Sequence, residues 1–525
     1  MVKLNKYGLV LKKNYVLIFI LILYFVFGLF LLNYYQYILN SDGISYISIA
    51  QKYMGGDFGN AINGYWGPLL SWLMIPFLYF SSNTLSNLYM TKILSLIIGL
   101  FTIIGVKLLC DKFRIDGLVQ TIFLFSLVPI MLLFSFTVLS PDLLIVSFMV
   151  FYLSFIFDDK YSINLKNGFF CGLLGGMAFL SKSYAFVFFI LHFTLFNLVF
   201  YFQNISSENK KVVFKNFLLG LMVFFMISGT WIALISDKYS ELTIGSAGKY
   251  NYELVGPESQ GHSLYYQGLI KPPNNSAISS WEDPSYFNME SWSPLSSWNN
   301  LEYQLKLIWS NFLNIINILT KYSIFSILIL IVSIIFIIKT PSKTFKKKVI
   351  YSLVTILLYS GLYSFILVEN RYLWLVYLLI MMIGIIMINC YYKLDKLNSL
   401  GRYILLILLI TSFVISPVQI LASNLNFEKN IYDVSQILHD DDVSGRIASN
   451  EKWEITLLLV YFLNSKYYGT TINNNDINSV NNQLMTNEID YYLVWDDNND
   501  YQSLDYKEIT DDRIPGLKIY SRTNS

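Results

Sequence analysis

Four charged residues in an otherwise apolar chain have the chemistry needed for group transfer to or from a phosphate. Asp42 follows the first very apolar segment, and Asp142 stands just before another. Lys182 interrupts an apolar run, and Arg371 follows Glu369 at the end of a further one. A carboxylate is able to accept a hydroxyl proton, and lysine or arginine is able to bind phosphate. The sequence therefore offers a proton acceptor and an anion site, each beside the membrane.

Each of these residues also has a plainer structural interpretation. Ser41 is a good helix N-cap, so Asp42 could be an acid in the first turn of a helix and nothing more. Asp142 could likewise belong to a capping pair. Lys182 could extend to the outer interface with its charge in water. The acid–base pair of Glu369 and Arg371 could be a structural salt bridge, or Arg371 could hold a phosphate bidentately.

The stretch after Asp42 favours a functional interpretation. Several glycines follow its helix, and Tyr65-Trp66-Gly67-Pro68 then opens a short apolar piece that ends near Phe80. That piece is too short to span a bilayer, so it predicts an interfacial or re-entrant helix. An acid held above a membrane-embedded platform is well placed to meet a lipid-linked substrate.

A long polar segment after residue 235 supplies aromatic faces that suit sugar rings. Trp281 provides one such face, and Glu282 and Asp283 add acceptors for hydroxyl groups. The alternative is an aromatic loop that rests on lipid headgroups. The residues that we expect to contact the sugar or the acceptor are Tyr46, Tyr65, Trp66, Trp281, Glu282, Asp283 and Glu369.

Composition restricts the class of protein. The 525 residues are 55% hydrophobic and only 14% charged, which is typical of a polytopic membrane protein and not of a globular enzyme. The near-neutral net charge gives no support for nucleic-acid binding. The three cysteines form no CxxC pair and the three histidines lie far apart, so neither a disulfide framework nor a zinc site is expected.

Hydropathy predicts a polytopic α-helical membrane protein with about eleven transmembrane helices. Lysine and arginine cluster in alternate connections, which by the positive-inside rule places the N-terminus in the cytoplasm. The first outer loop is then 33–87 and the long outer loop 237–320. The predicted spans are 15–32, 88–109, 118–136, 143–157, 169–180, 186–202, 217–235, 324–338, 349–367, 373–390 and 404–421.

The soluble part of the chain is predicted on the outer side of the plasma membrane. The cytoplasmic connections are short, and no GxxxxGK[ST] phosphate loop occurs, so there is no cytosolic module for a nucleotide. Residues 1–423 form the membrane domain. From about residue 424 strand and helix patterns alternate, which predicts a small extracytoplasmic α/β domain over 424–525. Its strands are predicted at 446–449, 467–470, 491–495, 507–509 and 518–521.

Several motifs together resemble the GT-C membrane glycosyltransferases. The chain is similar to the PMT-like group, which includes the protein O-mannosyltransferases and the lipid A aminoarabinose transferases. This chain has Gly43 where the mannosyltransferases often place Glu, and Trp66-Gly67-Pro68 where the aminoarabinose enzymes carry Lys-Pro-Pro, so the acceptor class stays open. The motifs are SDGISYISIA, GYWGPLLSWLMIPF, SPDLL, GGMAFLSKSYAF, SSWEDPS and ENRYLW.

The resemblance implies a polyprenyl-phosphate sugar donor, an extracytoplasmic acceptor and inversion at the anomeric carbon. It also implies that Asp42 is the catalytic base and that Asp142 is a second acid near the site. Lys182 and Arg371 would then offset the charge of the departing lipid phosphate, so that no cofactor is required. Some relatives resemble the oligosaccharyltransferases, where paired acids hold a divalent ion, and Asp42 with Asp57 could hold Mg²⁺ or Mn²⁺ in that way. A transporter or flippase of a lipid-linked glycan is the alternative function, but it would call for inverted repeats and polar residues at mid-membrane.

Overall fold

The computed structural model describes residues 2–115, 117–287, 289–474, 476–496, 504–511 and 513–523, with side chains from residue 15 onward. Helices dominate up to residue 440, and a small mixed sheet follows. The helices are α1 (Val2–Tyr35), α2 (Ser41–Met54), α3 (Phe58–Ala61), α4 (Pro68–Leu78), α5 (Thr84–Lys112), α6 (Gly117–Phe136), α7 (Asp142–Ile156), α8 (Lys166–Ser181), α9 (Tyr184–Gln203), α10 (Ser207–Tyr239), α11 (Ala247–Leu254), α12 (Trp298–Tyr322), α13 (Phe325–Lys339), α14 (Lys343–Ser364), α15 (Trp374–Lys393), α16 (Ser399–Ser423), α17 (Lys429–Asp440), α18 (Trp453–Phe462) and α19 (Ile477–Thr486).

Every predicted span coincides with a helix, and the protein is a multi-pass membrane protein. The count of about eleven transmembrane helices is not confirmed. Within the described ranges, seven helices are long and apolar enough to cross a bilayer, or eight if α12 and α13, bent by 108°, form one span. Helices α7 and α8, with 15 and 16 residues, are shorter than the roughly 20 residues that a perpendicular crossing needs.

The long outer loop contains a helix that hydropathy does not reveal. Residues 298–322, placed in this loop by the sequence, form the 25-residue helix α12. Polar side chains interrupt its apolar positions, and two of them face inward: Gln304 and Asn311 donate to backbone carbonyls of residues 364–366. Its apolar residues lie on one face of the helix and alternate with polar residues in the sequence, so hydropathy averaged over consecutive residues does not reveal the helix.

The segment that follows α1 folds as short helices. Asn40, not Ser41, is the N-cap of α2, and its side-chain oxygen accepts a hydrogen bond from Leu139 N–H at 3.0 Å. The predicted N-cap at Ser41 is therefore wrong by one residue. The Asn40 side chain does not cap the helix, but joins the loop before α2 to the loop before α7. Helix α4 begins at Pro68 and has only 11 residues, as expected for a piece too short to span.

The C-terminal residues form a five-stranded sheet with the order β2-β1-β3-β5-β4. Strand β1 is parallel to β2 and β3, whereas β5 is antiparallel to β3 and β4. All five strands begin and end within one residue of their predicted bounds. They are β1 (Arg446–Ser449), β2 (Lys466–Thr470), β3 (Tyr491–Trp495), β4 (Tyr506–Glu508) and β5 (Leu517–Arg522).

This sheet is attached to the membrane domain by backbone and side-chain contacts. Tyr467 N–H donates to Ile278 O and Ile270 N–H donates to Tyr468 O, both at 2.7 Å, so the long outer loop pairs with the edge strand β2. On the other side, Tyr461 of α18 donates to Thr84 O at 3.0 Å. Helix α18 also packs on α2 and shares one hydrophobic core with the membrane helices. The sheet therefore borders the region around Asp42.

Candidate functional site

A cavity of about 800 Å³ lies between the start of α2, the outer ends of the membrane helices, the long outer loop and α18. Asp42, Asp142, Lys182 and Arg371 all line it. These four residues come from parts of the chain that are 40 to 329 positions apart, as their numbers show. The fold thus brings the predicted proton acceptor and the predicted anion site into one space.

Asp42 is buried in the first turn of α2 and has two partners. Arg371 Nη1 lies 2.6 Å from Asp42 Oδ2, and Trp281 Nε1 donates to Asp42 Oδ1 at 3.2 Å. A carboxylate offers about four lone-pair sites, so these two contacts leave acceptor capacity on both oxygens. The contacts fix the orientation of the carboxylate at the cavity wall.

Asp142 is the first residue of α7 and is more strongly engaged than Asp42. Lys182 Nζ donates to Asp142 Oδ1 at 2.8 Å, and Ser140 Oγ donates to Oδ2 at 2.8 Å. Arg371 Nε lies 3.5 Å from the same Oδ2. Asp142 is therefore the anchor that holds both cations of the site.

Arg371 lies in a short 3₁₀ helix, Asn370–Leu373, that leads into α15. Its Nε also binds Glu369 Oε2 at 2.7 Å, so one guanidinium joins three carboxylates. Lys182 Nζ lies 3.6 Å from the centre of the Tyr372 ring, a cation–π contact. Three carboxylates face two cations here, which leaves one negative charge in excess.

Aromatic rings form one side of the cavity. Tyr46, Tyr65, Trp66 and Trp281 all line it, as expected for residues that contact a sugar. Their rings meet edge to face, with centroids 5.2 Å apart for Tyr46 and Trp66 and 5.4 Å apart for Tyr65 and Trp281. Such packing holds each ring in a fixed position.

Glu282 and Asp283, by contrast, are not among the described residues that line the cavity. The buried Glu282 carboxylate pairs with Lys52 and Ser48 of α2, and Asp283 accepts a hydrogen bond from Tyr239 Oη at 2.6 Å. The prediction that these two carboxylates contact hydroxyl groups of the substrate has no support from this geometry. Instead they fix the loop on which Trp281 is carried.

The sequence did not single out two further lining residues. His262 packs against Trp281 with ring centroids 4.6 Å apart, and burial lowers the pKa of His262 to about 4 although the Asp42 carboxylate opposes this shift. Its imidazole is therefore neutral at physiological pH. Glu454 reaches the cavity from α18. Only the three-dimensional fold brings these residues near Asp42; no local motif marks them.

Asp42 lies in the first turn of α2, whereas Asp57 lies three residues beyond the end of that helix. This helix has 14 residues, which at 1.5 Å per residue is a separation of about 20 Å. Asp57 instead accepts hydrogen bonds from Asn60 at 2.9 Å and Ser276 at 3.0 Å. The expectation that Asp42 and Asp57 could hold one divalent ion is wrong for this arrangement, because their carboxylates are too far apart.

Known structures share this fold although no protein-family model and no curated protein sequence matches the chain. The crystal structure of ArnT from Cupriavidus metallidurans bound to undecaprenyl phosphate matches with a TM-score of 0.56 and 11% identity, over 99% of this chain and 98% of that one. The same protein in the apo state gives a TM-score of 0.47 at 12% identity, with the same coverage of 99% and 98%. The archaeal oligosaccharyltransferase AglB from Archaeoglobus fulgidus, in complex with an inhibitory peptide and a dolichol-phosphate, gives 0.47 at 11% identity, over 92% of this chain and 70% of that one.

ArnT is a lipid A aminoarabinose transferase, and both neighbours are GT-C glycosyltransferases. The predicted GT-C-like fold, a multi-pass helical domain followed by a small α/β domain, is therefore confirmed.

Proposed function

We propose that this protein is a membrane glycosyltransferase that moves a sugar from a polyprenyl-phosphate donor to an extracytoplasmic acceptor, with inversion at the anomeric carbon. One observation carries the proposal: Asp42, Asp142, Lys182 and Arg371 meet in a single cavity with an aromatic wall. A fold shared with ArnT, whose crystal structure contains undecaprenyl phosphate, supports the class of donor.

Lys182 and Arg371 would bind the phosphate of the donor. Arginine has five N–H donors, and the three carboxylates engage Nε and Nη1 of Arg371. The Nη2 group and the ammonium of Lys182 would supply the donors for the phosphate oxygens. These fixed cations would offset the charge that develops on the leaving polyprenyl phosphate, so that the proposed reaction requires no metal ion.

Asp42 would accept the proton of the acceptor hydroxyl. Aspartate is a weak base, so proton transfer must accompany the attack on the anomeric carbon. The contacts with Arg371 and Trp281 hold the carboxylate in place before the acceptor arrives. Such positioning lowers the barrier because the reacting groups need little further ordering.

Inversion follows if no carboxylate of the protein attacks the anomeric carbon, so that the sugar is transferred in a single displacement. Asp142 has three partners, Lys182, Ser140 and Arg371, two of which are cations, and this supports a role in holding the cations and not in attacking the anomeric carbon. With one base and no protein nucleophile, the acceptor oxygen would displace the phosphate directly. The bond from the anomeric carbon to the acceptor forms as the bond to the phosphate oxygen breaks, and the proton passes to Asp42.

We further propose that the cavity opens on the outer face of the plasma membrane. The support is the distribution of lysine and arginine over alternate connections, which by the positive-inside rule puts the N-terminus in the cytoplasm. The acceptor would then be a protein, lipid or glycan outside the cytoplasm.

Mass spectrometry of the surface glycans of cells with and without this protein tests the proposal. We expect one sugar to disappear from an acceptor and the matching polyprenyl-phosphate sugar to accumulate, with both effects reversed by the wild-type chain. Unchanged glycans and unchanged lipid-linked sugars would contradict the proposal.

A second assay separates this function from that of a transporter. Purified protein in detergent micelles has no membrane sides, so a transporter would leave the donor lipid intact. The glycosyltransferase should release polyprenyl phosphate from donor lipids extracted from the deletion strain when an extract of acceptors is added.

A further inference from the structure

A second cleft, of about 590 Å³, lies in the C-terminal domain beside the catalytic cavity. It is lined by Tyr265 and the segments 450–455 and 470–474, and we refer to it as the sheet-edge cleft. These loops follow the parallel strands β1 and β2 at their carboxyl ends. That edge of a parallel sheet is where α/β domains bind their ligands.

The sheet-edge cleft adjoins the catalytic cavity. Tyr265, Trp453 and Glu454 line both spaces. A chain of contacts also leads from one to the other: the Tyr265 ring lies 5.6 Å from that of His262, which packs on Trp281, the partner of Asp42. A molecule in the cleft would therefore contact residues that also border the space in front of Asp42.

The walls of the cleft suit a hydroxyl-rich ligand. Tyr265 is 57% exposed and offers an aromatic face, while the rest of the wall is rich in Thr and Asn. The loop backbone is fixed in advance, since Thr471 Oγ1 donates to Asn474 Oδ1 at 2.6 Å and Asn474 Nδ2 donates to Asn450 O at 2.9 Å. A ligand would not have to order these loops when it binds.

Charge in the cleft disfavours an anionic ligand. Glu451 and Glu454 line it, and its one cation, Lys452, is paired with Asp496 within the described part of the domain. A phosphate or carboxylate in the cleft would thus face an excess of negative charge. In the catalytic cavity, by comparison, two cations, Lys182 and Arg371, face three carboxylates.

We infer that the C-terminal domain binds the acceptor in the sheet-edge cleft, and that this acceptor is a saccharide chain without anionic groups. Its terminal sugar would extend past Tyr265 and Trp453 so that one hydroxyl reaches Asp42. The inference rests on the proposed function, which supplies the reason for a hydroxyl at Asp42, but it is tested by binding and not by transfer.

Binding to the full-length protein in detergent tests this assignment. The probes are two neutral oligosaccharides, maltohexaose and chitohexaose, with hexagalacturonate as an anionic chain and a serine-rich hexapeptide as a non-sugar acceptor. We expect a neutral oligosaccharide to bind and Tyr265→Ala to weaken that binding about tenfold, because one aromatic face is lost. Tyr286→Ala is the matched control, since Tyr286 is 64% exposed on the same outer loop but does not line the cleft.

The same titration with Asp42→Asn distinguishes this inference from the proposed function. We expect that variant to bind the oligosaccharide as the wild type does, even though transfer is lost. Three results would overturn the inference: no binding of either neutral oligosaccharide, preferential binding of hexagalacturonate or the peptide, or equal binding by wild type and Tyr265→Ala. None of them affects the transfer assay, which alone decides the proposed function.

Discussion

Substitution of Gly67 by alanine should disturb the anion site through a backbone clash. A Cβ atom at Gly67 would lie 2.3 Å from the carbonyl oxygen of Ser181, the residue before Lys182, and 2.6 Å from the carbonyl oxygen of Leu180. A carbon and an oxygen in contact need about 3.3 Å, so one of the two segments must move by about 1 Å. Because backbone and not a flexible side chain is in the way, the strain cannot be relieved by a rotamer change.

The expected cost has two parts. Overpacking of this kind lowers the free energy of unfolding by about 1–3 kcal/mol. A shift of about 1 Å at Lys182 should also reduce transfer by up to roughly 100-fold, since positioning at this scale affects rate strongly. Thermal unfolding in detergent and the apparent KM for donor measure the two effects.

Gly59→Ala is the matched control for this experiment. Gly59 lies eight positions earlier in the same outer loop, within α3, and a Cβ there would have no atom within 4 Å. We expect the control to unfold and transfer sugar like the wild type. If Gly67→Ala behaves like Gly59→Ala in both assays, the proposed close packing of α4 against the Lys182 segment is wrong.

Three further predictions follow from the charges and the topology. Lys182→Ala should raise the KM for donor about tenfold or more, whereas Lys182→Arg should keep part of the affinity; an unchanged KM in Lys182→Ala would contradict the phosphate role. Because burial holds the pKa of His262 near 4, below its ordinary value of about 6.5, the unfolded chain takes up a proton first on acidification. The free energy of unfolding should therefore fall between about pH 6.5 and 4, and His262→Gln should flatten that fall in denaturant titrations; an identical pH profile would refute this reasoning. A membrane-impermeant thiol reagent should label Asn482→Cys on intact cells and Thr344→Cys only after permeabilisation, with the reverse pattern contradicting the topology; the three native cysteines are buried and give little background.

Local patterns explain why much of the fold could be predicted. The spans and the five strands follow from hydropathy and from the period of apolar residues, which depend on neighbours in sequence. Helix α12 was missed because its apolar residues lie on one face only. The number of crossings was not determined because α7, α8 and α13 are each shorter than a bilayer requires and α14 is not among the helices that are long and apolar enough to cross.

Three of the charged residues that line the cavity could be singled out in the sequence because charge is costly beside a membrane. Asp142, Lys182 and Arg371 stand out because each is a charge beside an apolar segment. The long outer loop gives no comparable signal, because a polar residue there faces water, protein or substrate at a similar cost in free energy. Hence the sequence could not show that Glu282 would pair with the buried Lys52 instead of facing the cavity.

Contacts between residues that are far apart in the chain could not be predicted from the sequence either. The contact of Arg371 with both Asp42 and Asp142 depends on how α2, α7 and α15 pack, over more than 200 positions of chain. The same holds for Glu454, which reaches the cavity only because the sheet pairs with the outer loop. Long-range packing of this kind has no local pattern.

The role of Asp42 as the base is the central claim, and the transfer rate of Asp42→Asn tests it most directly. Asparagine keeps the shape of the side chain and is tolerated at a helix start, and Arg371 keeps Asp142 and Glu369 as partners, so the fold should persist. Asp57→Asn, three residues beyond the end of α2, is the control. We predict that Asp42→Asn lowers kcat by roughly 100- to 10,000-fold with a nearly unchanged KM for donor, while Asp57→Asn transfers sugar normally. A well-folded Asp42→Asn protein that transfers sugar at the wild-type rate would contradict the mechanism.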